Sequence, residues 1–462
     1  MKRKYLLPLL FATAGTSAFA QQKAPAIVQG SFNKKQASSV MLYEVNYGER
    51  EEFAKTKLSG ENKSFAFQVP AAKSGYYYLS ADPKRGGIRI WLAPGVKLQL
   101  QVQDSGYSII NPSAENKALM EWENMRAPLR AMSRSMLNDN PRYRSLADTT
   151  TYRSFFPMLQ AFLPKAEAFR KKINTGNKTF NELLRFTIDA DLQAMGMQFL
   201  LQPRSAHPKK EDYPSFYQSI AQSGILNTTR IYQLGEGNEF INTFPTFRML
   251  MSDKMPERER MQEWILQQIP NDTLKGDLVA NNLSRSNSFE EVLEKVNKYG
   301  HYLVTPPQLA IKDQVFEKLV KYQKGAPGYN FDLVDINEKK VSLKSLAGKV
   351  VVVDVWATWC GPCKAEIPHL KKLTEEMQGK EVVFVSISTD KEADKDKWKK
   401  FVADQQLDGV QLYDPSGKSV ITYYKIPGIP RFMVFDKSGN IVTVDAPRPS
   451  TPDLKKMIEQ YL

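Results

Sequence analysis

An almost continuous apolar run, Lys349-Val350-Val351-Val352-Val353-Asp354-Val355-Trp356, is followed by Ala357-Thr358-Trp359 and then by Cys360-Gly361-Pro362-Cys363. A valine-rich run of this kind fits a central strand covered on both faces, and such a strand requires a sheet with helices packed against it. The neighbouring pattern supplies those elements. Phe331-Asp332-Leu333-Val334 and Val341-Ser342-Leu343 read as two strands joined by a turn, and a helix is expected from the cysteine pair to about Met377. A second buried strand is expected at Glu381–Ile387, an amphipathic helix around Trp398 and Phe401, strands at Arg431–Phe435 and Asn440–Val444, and a last helix at 452–461. Residues 325–462 are therefore expected to form an α/β domain.

Upstream the pattern changes twice. Residues 25–112 carry short alternating runs such as Ser64-Phe65-Ala66-Phe67-Gln68-Val69 and Lys97-Leu98-Gln99-Leu100-Gln101-Val102, separated by turn signals such as Ala93-Pro94-Gly95. They predict an all-β, sandwich-like domain in which Tyr76, Tyr77 and Tyr78 serve packing rather than binding. Residues 113–324 shift to helical spacing, as in Leu119, Trp122, Glu123 and Arg126, with breaks at Pro208 and Pro214. No catalytic motif stands out there, and His207 and His301 read as ordinary polar residues, as does His369 further on.

Residues 1–20 read as a signal peptide, with Lys2, Arg3 and Lys4 ahead of an apolar stretch from Leu6 to Phe11. Ala18-Phe19-Ala20 fits the small-x-small cleavage rule and sets Gln21 as the mature start. The stretch falls short of the roughly 20 apolar residues that span a bilayer. A soluble protein exported to a periplasm is expected.

Of the formal charge of +14, residues 1–20 contribute three positives, and residues 325–462 are nearly balanced, with 20 basic and 19 acidic side chains. The excess therefore lies between, scattered among acids and without a recognition motif, so a nucleic-acid partner is not expected.

Export makes the cysteine count informative, because oxidising compartments favour structural disulfides and this chain has only two cysteines, three apart. A zinc site would need further ligands at suitable spacing. Disulfide exchange needs only an attacking thiolate and a second thiol near enough to resolve the mixed disulfide. Cys360 falls where a helix begins, where unpaired backbone N–H groups and the macrodipole favour an anion, and Cys363 follows one turn on. Pro362 suits the first helical turn, whose N–H groups lack partners in any case. No cofactor is expected beyond the Cys360–Cys363 disulfide itself.

The assembled motif, Trp356-Ala357-Thr358-Trp359-Cys360-Gly361-Pro362-Cys363-Lys364 with Pro368 beyond it, resembles the thioredoxin superfamily over about 325–462. Gly348-Lys349, Glu366 and Gly428-Ile429-Pro430 resemble its periplasmic TlpA/ResA-like branch, and the longer arrangement looks like thiol–disulfide interchange proteins of Bacteroidetes. The resemblance implies that Cys360 attacks, Cys363 resolves, and Pro430 is a cis-proline facing them. It also implies that Ile429 offers backbone groups to an extended substrate and that Trp359, Gly361 and Pro362 border it. Asp354, costly in an apolar strand, resembles the buried acid that moves protons to and from the resolving cysteine, and Glu366 resembles the acid that this branch keeps nearby. Many members of the branch lack an acid at the Asp354 position, so the chain mixes two patterns. Trp356, Trp398 and Phe401 read as packing.

Gly361-Pro362 matches thioredoxin, whose potential lies near about −270 mV against about −120 mV for the oxidant DsbA, which points to a reductant or isomerase. The partners implied are oxidised exported proteins and a membrane-bound electron donor. An alternative is a binding or assembly protein in which residues 25–320 do the main work beside an auxiliary redox module. A thiol peroxidase fits poorly, because Thr358 stands only two residues before Cys360 and Cys363 is adjacent.

Overall fold

The computed structural model describes residues 24–35, 37–58, 63–70, 72–82, 87–134, 151–202 and 207–462; the expected signal peptide, residues 1–20, lies outside them. Among the described residues no helix is long and apolar enough to cross a membrane. The chain divides into two compact units, Met1–Asn271 and Asp272–Leu462. The division falls inside the stretch 113–324, so its earlier helices belong with the β layers and its later ones with the α/β region that carries the cysteines.

The first unit opens with β1 (Ala26–Asn33), β2 (Ser39–Asn46), β3 (Glu49–Lys57), β4 (Ser64–Val69), β5 (Gly75–Ser80), β6 (Ile88–Leu92), β7 (Lys97–Gln103) and β8 (Gly106–Ile110). They form two sheets, β4-β1-β7-β8 and β3-β2-β5-β6. β4 and β7 alternate strictly, sending Phe65, Phe67, Leu98 and Leu100 into a core shared with Tyr77, Leu79, Ile90 and Leu92 of the other sheet. β5 and β6 are buried on both faces, because Tyr76, Tyr78, Arg89 and Trp91 meet helices on the outer side. The three tyrosines thus pack, as the strand pattern predicts.

Those helices are α1 (Ala114–Arg134), α2 (Tyr152–Lys172), α3 (Lys178–Leu201), α4 (Ser215–Ala221), α5 (Gly237–Met251) and α6 (Met261–Gln267). β6 is an edge strand, and a buried edge leaves backbone groups unpaired. Asn116 of α1 answers this by accepting from Trp91 N and donating to Trp91 O, both at 2.9 Å. The β2–β3 turn docks on α5 through Gly48, which donates to Tyr232 O and accepts from Asn238 N, both at 3.0 Å. Gly48 has φ +81°, and a Cβ on Gly237 would stand 2.2 Å from Ile231 O, so neither position tolerates a side chain.

Charge is buried where this sheet meets the helices. Arg89 on β6 reaches both oxygens of Asp191 on α3, at 3.1 and 3.3 Å, and Glu123 and Glu236 at 3.2 Å. Trp122 Nε1 donates to Asp191 at 2.8 Å, and Tyr78 Oη donates to Glu236 at 2.8 Å. Burial alone would raise the Asp191 pKa, but Arg126 and Arg89 outweigh it and hold the carboxyl below the usual range.

The second unit begins with α7 (Asp272–Ser284), α8 (Phe289–Tyr299) and α9 (Pro306–Leu319), and Gln308 ties α9 to α7 by donating to Thr273 O and Asp277 at 2.9 and 2.7 Å. Then follow β9 (Asp332–Asp335), β10 (Lys340–Ser342), β11 (Val350–Trp356), α10 (Gly361–Glu376), β12 (Val382–Ser388) and α11 (Lys395–Asp404). β13 (Val410–Tyr413), α12 (Val420–Tyr424), β14 (Arg431–Phe435), β15 (Ile441–Thr443) and α13 (Pro452–Glu459) complete it. The sheet order is β10-β9-β13-β12-β11-β14-β15, with β11 parallel to β12 and antiparallel to β14. The apolar run is thus an inner strand, and all seven of its residues are buried. β13 and α12 have no counterpart in the sequence reading, because four and five residues are too few for a period to declare itself. The multidomain architecture expected from the sequence is present: β sheets first, a helical middle, and a terminal α/β domain.

Candidate active site

β11 ends at Trp356, and the chain turns through Ala357-Thr358-Trp359 into α10. Cys360 is the N-cap of α10, with its Sγ accepting from Cys363 N at 3.2 Å, one of the helix-start donors that otherwise lack partners. Cys360 and Cys363 are joined in a disulfide with Cα atoms 5.3 Å apart. Both are buried, whereas Trp359 beside them is 64% exposed and Gly361 and Pro362 are also exposed. The exposed side of the pair is thus a strip of Trp359, Gly361 and Pro362.

The opposite side comes from the segment before β14. The Ile429–Pro430 peptide is cis, and the Ile429 carbonyl oxygen stands 3.8 Å from Cys360 Sγ. Ile429 packs into the cluster holding Cys360, Cys363, Trp356 and Trp398. Trp398 is fully buried and stacks on Tyr413 at 4.9 Å, and Trp356 meets Phe401 at 5.5 Å, so all three of Trp356, Trp398 and Phe401 pack as read from the sequence.

Asp354 lies on β11 between Ser386 of β12 and Phe432 of β14. Its Oδ1 is buried without a hydrogen-bond partner, as are Trp356 Nε1 and Gln411 Oε1, and all three residues line one crevice of about 400 Å³. Burial, and then the negative charge of Glu366, push the Asp354 pKa up to about 8. Glu366 is itself buried on α10, accepting from Ser450 N and Ser450 Oγ at 3.1 Å each, with Arg448 at 3.7 Å. It ties the active-site helix to the segment before α13. His369 is exposed.

One residue of this site was not read from the sequence. Asp390 is fully buried and accepts from Thr358 N at 2.9 Å, Thr358 Oγ1 at 2.8 Å and Ser388 Oγ at 2.8 Å. Thr389 adds a backbone bond to Trp356 O at 2.9 Å. The end of β12 therefore clamps the loop that carries Cys360. The available signal is Ser388-Thr389-Asp390 closing an apolar strand, a grouping that also reads as a plain turn. Among the described residues no group of three or more His, Cys, Asp or Glu side chains could hold a metal ion.

A family model described as Redoxin matches residues 323–460. The thiol-disulfide oxidoreductase ResA of Bacillus cereus (strain ATCC 10987 / NRS 248) is 31% identical over 147 residues, 32% of this chain and 81% of that protein. The crystal structure of the thioredoxin domain of a thiol-disulfide oxidoreductase from Bacteroides vulgatus is similar at 27% identity with a TM-score of 0.27, covering 30% of this chain and 97% of that one. A solution structure of a thiol:disulfide interchange protein from Bacteroides sp. is similar at 26% identity and TM-score 0.28, covering 30% and 91%.

Proposed function

This chain belongs to the TlpA/ResA-like thiol–disulfide oxidoreductases of the thioredoxin superfamily, and on that premise we propose that it reduces or isomerises disulfides of exported proteins through Cys360 and Cys363. The observation that carries the reading is the position of Cys360 at the start of α10, capped by Cys363 N–H and flanked by exposed Trp359 and the Ile429 carbonyl.

In the reduced enzyme the Cys360 thiolate is favoured by the helix-start N–H groups. It attacks one sulfur of a substrate disulfide, forming a mixed disulfide and releasing the other sulfur as a thiolate. Asp354 takes the proton of Cys363, whose thiolate then attacks Cys360 Sγ and frees the second substrate thiolate. Two electrons pass to the substrate, and the Cys360–Cys363 disulfide is left behind. With a pKa near 8, Asp354 exchanges protons at neutral pH, which an ordinary aspartate cannot do. Glu366 acts on Asp354 through its charge, and Trp359, Gly361, Pro362 and Ile429 border an extended substrate segment with Pro430 opposite the cysteines. Export by residues 1–20 to the periplasm and recharging by a membrane-bound donor complete the cycle.

Trapping tests this directly. Full-length Cys363→Ala retains the attacking thiol and accumulates mixed disulfides on Cys360 in periplasmic extract, and Cys360→Ser accumulates none and fails to reduce insulin. Equal insulin reduction by Cys360→Ser and wild type excludes the mechanism. A Cys360/Cys363 potential above about −180 mV excludes the reducing direction.

A further inference from the structure

Asp354 belongs to a row of polar side chains under α10. In the parallel register Asp354 of β11 pairs with Ser386 of β12, and Ser386 pairs with Gln411 of β13, so all three share one face of the sheet. Their neighbours on that face, Val352, Trp356 and Phe384, belong to the apolar core clusters. Each member of the row is more than nine-tenths buried. All three line the crevice between α10 and the sheet, and its lining runs on to half-buried Lys371 and exposed Asp408, so the crevice reaches the surface.

A polar row on a packed apolar face is costly unless its groups find partners. Gln411 Nε2 donates to Asp408 O at 2.7 Å, which fixes the amide and leaves Oε1 as the end that can accept. Asp354 Oδ1 and Trp356 Nε1 are, like Gln411 Oε1, buried without a direct partner among the described residues. With Asp354 ionised these are two acceptors and one donor. A water molecule matches that set, because it offers two O–H donors and lone pairs to accept with. The crevice leaves room for about one ordered water. The nearby charged side chains are engaged elsewhere: Lys371 donates to Gln405 O at 2.6 Å, and Glu366 accepts from Ser450.

We propose that Gln411 is a positioning residue for proton transfer: its Oε1, with Trp356 Nε1, holds a water against Asp354, and through that water the carboxyl exchanges its proton with solvent at the Asp408 end of the crevice. The inference rests on the dithiol chemistry proposed above and adds the step that follows it. A proton leaves Cys363 Sγ for Asp354, Asp354 gives one to the water, and the water gives one to solvent. Only S–H and O–H bonds break and form, and Asp354 is returned ionised.

Two measurements on the full chain test it. In isotope-labelled protein the Trp356 indole N–H, assigned by its loss in Trp356→Phe, is expected to show magnetic cross-relaxation with a long-lived water, and Gln411→Met is expected to lose that signal. Insulin reduction by Gln411→Met is expected to fall at least about three-fold near neutral pH, part of the roughly 10²-fold or more that a placed proton-transfer group contributes. The loss should vanish in an Asp354→Asn background, where no proton passes, whereas a merely structural defect would persist there. A wild-type Trp356 indole with no bound water overturns the proposal, whatever the variants' folding. An undiminished rate in folded Gln411→Met, or an equal loss on top of Asp354→Asn, also overturns it. Wild-type protein that shows the bound water yet fails to reduce insulin sinks the dithiol reading, and the proton route with it, while the water site stands.

Discussion

Asp191 in the first unit and Asp354 in the second are each 8% exposed, yet their surroundings drive them in opposite directions. Asp191 accepts from Arg89 and Trp122 with Arg126 beside it, and is held ionised below the usual range. Asp354 has a buried oxygen with no partner and a second acid, Glu366, nearby, and is raised to about 8. Burial by itself therefore does not decide what a carboxylate does. The charges that share its site decide whether it fixes structure or handles a proton. Asp390 is fully buried among neutral donors from Thr358 and Ser388.

The largest effect expected from this contrast is at Asp191. Asp191→Asn leaves Arg89 and Arg126 buried short of a counter-charge and is expected to cost about 3–5 kcal/mol. Hydrogen exchange of α3 reads this within the first unit, and unchanged protection would break the comparison. Asp390→Ala leaves the buried Thr358 N–H without its acceptor and is expected to cost about 1–3 kcal/mol, read as faster exchange of the Thr358 amide. Insulin reduction should slow without being abolished, because the cysteines remain.

Asp354→Asn should act with the opposite sign. Between the ordinary aspartate range and about pH 8 the folded chain holds a proton at Asp354 that the unfolded chain has released. Wild-type stability from this group is therefore greatest in acid, falls by up to about 1.4 kcal/mol per pH unit as pH rises toward 8, and is level above. Asp354→Asn should flatten that slope in the exchange of β11 and raise stability at pH 8, while slowing insulin reduction near neutral pH. A variant less stable than wild type at pH 8 would mean that Asp354 has a cationic partner after all.

Much of the cysteine site was legible because its chemistry is local. Cys360, Pro362 and Cys363 lie within one helical turn, the apolar run ahead of them declares an inner strand, and Asp354 stands out as a charge in that run. The strict alternation of β4 and β7 was equally visible, whereas β13 was not, since its four residues are defined by pairing with β12 and β9. Glu366 was identified as an acid on the right helix, but its hold on Ser450, 84 residues away, was not.

The sequence alone thus determined the cysteine pair at a helix start, the strand that carries the buried acid and the succession of β, helical and α/β regions, all of them properties of neighbouring residues. Tertiary structure decided the rest. Asp390 clamps Thr358 across 32 residues, and Arg89 meets Asp191 across 102. A charged residue's partner, and hence its role, depends on which distant chain segment folding brings within a few ångströms, and no local period or spacing encodes that.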